Sequence, residues 1–154
     1  QGGTRYISGN PLTGKQINAT GFVGFFDTSV TLLPEVEEPE LFGWALPGFK
    51  AGSKSRTFMS ALLNRKHLVR KHTGLHGGER AFIATGIYRD VLPMDIYPDF
   101  LMKSILAEDI PLMEGLGIHE IAEEDVALCE YICPSKIEWQ DITRRGLDFI
   151  ERET

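Results

Sequence analysis

A chain of 154 residues, 42% hydrophobic and 25% charged, has the balance of a folded domain and is long enough to bury a sizeable core, which excludes a largely disordered tail. The longest uncharged stretch, residues 16–26, has 11 residues, well short of the roughly 20 that a membrane-spanning helix needs. The net charge of -6 hides a strong asymmetry. Residues 54–80 hold seven Lys or Arg against one acid, while residues 104–135 hold eight acids and no Lys or Arg. Such a split can steer docking onto a partner or an anionic surface, or simply keep two faces solvated. The opening Gln1-Gly2-Gly3, without an initiating Met, reads as a cut within a longer protein.

Composition divides the chain near residue 55, into a β-rich region over 1–54 and a region over 55–154 with a hairpin and a helical bundle. In the first, Arg5 to Ser8 reads as a strand running into the turn Gly9-Asn10-Pro11, with Thr13-Gly14 as a second turn signal. Residues 22–26 and 29–33 are predicted as two short strands separated by Asp27-Thr28, and residues 41–46 as a third. The acidic stretch 35–40 suits an exposed loop, and Leu41, Phe42, Trp44, Leu46 and Phe49 supply apolar cover for the sheet.

Beyond residue 55 the period changes. Ser55 is placed to cap a short helix carrying Phe58, Met59, Leu62 and Leu63. His76-Gly77-Gly78 reads as a hairpin turn, and residues 81–88 as a strand. Four helices are then predicted: about 97–106 with Pro98 in its first turn, 109–116 ended by Gly117, 123–133 stopped by Pro134, and 138–151 with Trp139, Ile142, Gly146, Phe149 and Ile150 on one stripe. The fold class expected is α+β.

The chemically suggestive element is Cys129-Glu-Tyr-Ile-Cys133-Pro134. A C-x3-C-P ending closes the iron–sulfur run C-x2-C-x2-C-x3-C-P, whose thiolates bind cluster iron. Counting back puts the other two ligands at positions 126 and 123, which are Val126 and Glu123, and the chain has no further Cys to supply them. Zinc would need His beside the pair, and His119 precedes the helix. Two thiols four positions apart on one helix also make a strained disulfide. The pattern instead places both thiols with Val126 on an inward stripe, as small apolar residues. His67, His72, His76 and His119 fall in no catalytic motif, and residues 74–78 lack the spacing of a phosphate loop. No catalytic, cofactor-binding or metal-ligating residue is assigned. Nucleic acid is not an expected partner, since no binding module accompanies the basic stretch.

Four ordered blocks carry a family likeness: Arg5-Tyr-Ile-Ser-Gly-Asn-Pro-Leu-Thr-Gly14, Glu40-Leu-Phe-Gly-Trp-Ala-Leu-Pro-Gly48, Val91-Leu-Pro-Met-Asp-Ile-Tyr-Pro98 and Asp125-Val-Ala-Leu-Cys-Glu-Tyr-Ile-Cys-Pro134. Together they resemble the C-terminal part of the A subunit of the bacterial Na+-translocating NADH:quinone oxidoreductases. The chain is also similar to the cluster-carrying subunit of Rnf complexes and the flavin subunit of respiratory complex I. The resemblance implies the end of a β-grasp, SLBB-like region followed by a degenerate α-helical ferredoxin domain. It further implies a peripheral location on the cytoplasmic face of the inner membrane, docked on the other subunits and especially a membrane subunit. In the whole complex it implies quinone, NADH, flavins, iron–sulfur and sodium, with no redox cofactor in this fragment. Cys129, Cys133 and Pro134 then mark a vestigial cluster motif, and Arg65, Lys66, Arg70 and Lys71 are the docking candidates. Two alternatives stay open: a purely structural interaction module, or part of a quinone pocket completed by upstream residues.

Overall fold

The computed structural model describes residues 3–35, 72–74, 78 and 80–153. The chain is mixed α+β and divides into two compact units, residues 1–78 and 79–154. The division proposed near residue 55, the strand at 41–46, Trp44, the helix after Ser55 and the turn at His76 lie outside the described residues.

In the first unit, β1 (Thr4–Ser8) is the centre of a three-stranded antiparallel sheet, flanked by β2 (Lys15–Ile17) and β3 (Val30–Pro34). The register sets Tyr6 opposite Ile17 on one side and Leu32 on the other. Loop chemistry fixes the β1–β2 connection. Gly9 takes φ 89°, a left-handed conformation that costs a glycine little, and the Asn10 side chain accepts the N–H groups of Leu12 and Thr13 at 2.8 and 2.9 Å. The turn signals at Gly9-Asn10-Pro11 and Thr13-Gly14 thus produce a hairpin whose short second strand has no sequence signature of its own. Arg5 pairs with Glu35 at 2.7 Å across the far end of the sheet.

The predicted strand at 22–26 does not form. The chain there is an exposed turn, with Phe22, Phe25 and Phe26 each more than 90% accessible. Gly21 and Gly24 break the run into turns closed by Gly21 N–H to the Asn18 carbonyl (2.8 Å) and Asp27 N–H to the Gly24 carbonyl (3.0 Å). Here β-propensity lost to turn geometry.

The second unit is helical. The strand expected at 81–88 is likewise absent: a segment in no regular element leads into a single 3-10 turn, Ile87–Asp90. Its amides find a side chain instead of a neighbouring strand. The buried carboxylate of Asp99 accepts the N–H of Thr85 at 2.9 Å and of Gly86 at 3.2 Å, so the segment is satisfied without a sheet. Asp99 stands in the first turn of α1 (Pro98–Leu106), which begins with Pro at a position whose N–H needs no partner. α2 (Ile110–Gly115) is capped by Asp109, which accepts Leu112 N–H at 3.1 Å, and is followed by Gly117 at φ 88°.

The third predicted helix is divided: a 3-10 turn, Glu123–Val126, precedes α3 (Ala127–Ile132). α4 (Trp139–Glu153) carries Trp139, Ile142, Gly146 and Ile150 on its buried face, with Phe149 partly covered. Gly146 allows close approach, since a Cβ there would lie 2.9 Å from Ile105 Cγ2 of α1. The core gathers Tyr88, Met102, Met113, Ile118, Val126 and Trp139, each at most 2% exposed. No helix among the described residues is long and apolar enough to cross a membrane.

Candidate functional site

The cysteine pair sits where the sequence pattern placed it, inside. Cys129 faces the core from α3, and Cys133 ends the helix with ψ 118°, turning the chain out toward exposed Pro134. Neither cysteine is in a disulfide, and both are fully buried. The loop returns through Lys136, a non-glycine residue at φ 57°, and delivers Trp139 back against the same core.

An aromatic group that the sequence did not reveal surrounds the sulfurs. Tyr88 lies 4.3 Å from Trp139 between ring centres, and Phe82 packs edge-on to Trp139 at 5.6 Å. The Tyr88 hydroxyl is 3.3 Å from Cys133 Sγ, with either atom able to donate, and the Cys129 thiol points at the Tyr88 carbonyl at 4.0 Å. One tyrosine therefore contacts both thiols through two different groups. Residues 41 and 45 positions apart are joined here, and no spacing rule connects them.

Electrostatics separates the two partners of this contact. Burial raises the Cys133 pKa. The Tyr88 hydroxyl, the Ile137 backbone N–H, the Trp139 indole and the Ser135 backbone N–H oppose it and hold the thiol below its ordinary value. For Tyr88, burial, the bond to Cys133, and the nearby charges of Cys133 and Asp99 push the phenol well above its usual range. Tyr88 consequently keeps its proton and is the donor whenever Cys133 ionises. Among the described residues Ser135 Oγ and Trp139 Nε1 are buried with no hydrogen-bond partner, so the indole influences the sulfur by proximity rather than by a formed bond.

The positions that would complete a four-thiolate set do other work. Val126 is 1% exposed and packed in the core, worth about 1.5–3 kcal/mol of apolar burial. Glu123 Oε2 accepts from Arg144 Nε at 2.6 Å, tying the 3-10 turn to α4 on the surface. These residues do not fit a four-thiolate cluster. Among the described residues no three His, Cys, Asp or Glu side chains gather into a set able to hold a metal ion. His119 lies 3.8 Å from Glu114 on the surface. His67, His76 and the docking candidates Arg65, Lys66, Arg70 and Lys71 lie outside the described residues.

The geometry defines an α+β chain whose helical unit closes over its two thiols by aromatic and aliphatic packing. Comparison with curated proteins then supplies names. The chain is 41% identical over 154 residues to the A subunit of the Na(+)-translocating NADH-quinone reductase of Yersinia pseudotuberculosis, and 40% identical to proteins of the same name from Klebsiella pneumoniae and Vibrio atlanticus. Each match covers 99% of this chain and 34% of the relative, so the chain spans about a third of the length of the curated relatives it matches. No protein-family profile matches.

Proposed function

We propose that this chain is the C-terminal part of the A subunit of a Na+-translocating NADH:quinone reductase and that it fastens that subunit to its partners rather than carrying electrons. The observation that carries this reading is the 40–41% identity to proteins of that name, sustained over 99% of the chain. The site agrees in kind: where a cluster domain would present thiolates, this one has a packed Val126 and a surface ion pair from Glu123. A domain that loses metal ligation must replace that free energy with burial, and a closed aromatic and aliphatic core is such a replacement.

On this reading the first unit is the end of an SLBB-like region and the second a degenerate α-helical ferredoxin domain, akin to those of Rnf complexes and of complex I. The protein sits peripherally on the cytoplasmic face of the inner membrane. Quinone, NADH, flavins, iron–sulfur and sodium are handled elsewhere in the complex. Docking falls to Arg65, Lys66, Arg70 and Lys71, whose field would steer association with a membrane subunit.

Reversing those four charges to Glu and purifying the complex through another subunit tests the reading. The expected outcome is a reduced yield of this protein and a weaker dependence of assembly on salt. Undiminished copurification at low salt would remove the docking role.

A further inference from the structure

We draw no further inference here: the strongest candidate, the cavity at the start of α1 lined by Ala84, Gly86, Arg89, Tyr97, Asp99 and Phe100, carries nothing because nothing in the structure shows what would fill it and its buried Asp99 carboxylate is already engaged by the Thr85 and Gly86 amides.

Discussion

The hydroxyl of Tyr88 lies 3.3 Å from the sulfur of Cys133, with both residues fully buried and 45 positions apart in the chain. This contact joins the turn that precedes α1 to the end of α3, and its consequences can be measured one residue at a time.

Tyr88→Phe removes the donor and keeps the ring. In a Cys129→Ala background, where one thiol titrates, ultraviolet absorbance of the thiolate should show Cys133 ionising at higher pH after the change. Stability should fall by about 1 kcal/mol, the net worth of one buried hydrogen bond. An unshifted titration would show that the hydroxyl does not act on the sulfur.

The same thiol gives stability a pH dependence of definite sign. Its folded pKa lies below the ordinary thiol value, so between the two the folded state binds fewer protons than the unfolded chain. The Cys133 contribution should therefore increase as pH rises toward about 8.5, the unfolded thiol value, and be lost as pH falls through the folded pKa. Tyr88, raised in the fold, acts in the opposite sense: its contribution is fully present below its unfolded value of about 10 and is lost as pH rises beyond it. Denaturant melts of parent and Cys133→Ser across mildly alkaline pH should diverge as pH increases. Parallel curves would contradict the shift.

Val126→Asp places a carboxylate where 1% of the side chain is accessible and no cation is described beside it. The second unit should lose about 3 kcal/mol or more, read as a lower denaturation midpoint. An unchanged midpoint would mean that the position is not closed to water.

Gly146→Val sets added side-chain bulk against two neighbours of the α1–α4 contact, because the first added carbon would already sit 2.9 Å from Ile105 Cγ2 and 3.2 Å from Ile118 Cδ1. Overpacking of this kind costs about 1–3 kcal/mol. The paired change Gly146→Val with Ile105→Val should recover part of the loss, and no recovery would place the strain elsewhere.

The helices were legible because their ends carry local chemistry. Pro98, Asp109 and Gly117 specify starts and stops within a few residues, and the stripe of Trp139, Ile142, Gly146 and Ile150 declares a buried face. Burial of Cys129, Cys133 and Val126 followed from the same periodicity. Two strands were misread for opposite reasons. Residues 22–26 have the apolar content of a strand, but Gly21, Gly24 and Asp27 commit the backbone to turns. Residues 81–88 have the apolar content of a strand, yet the amides of Thr85 and Gly86 are answered by Asp99, more than ten positions away. Tyr88 as the partner of both thiols was hidden because it depends on how three separate segments pack, which no spacing records.

Ser8 finishes a strand and also sets the form of a distant turn, through one hydroxyl that donates to Asp27 and accepts from Gly24. The instructions for the turn's shape thus reside outside the turn. Its exposed aromatic residues take no part in the hydrogen bonds that shape it, so they can be exchanged while the scaffold beneath them stays constant. Ser8→Ala would expose that division of labour by loosening the turn with the β1–β3 ladder left intact.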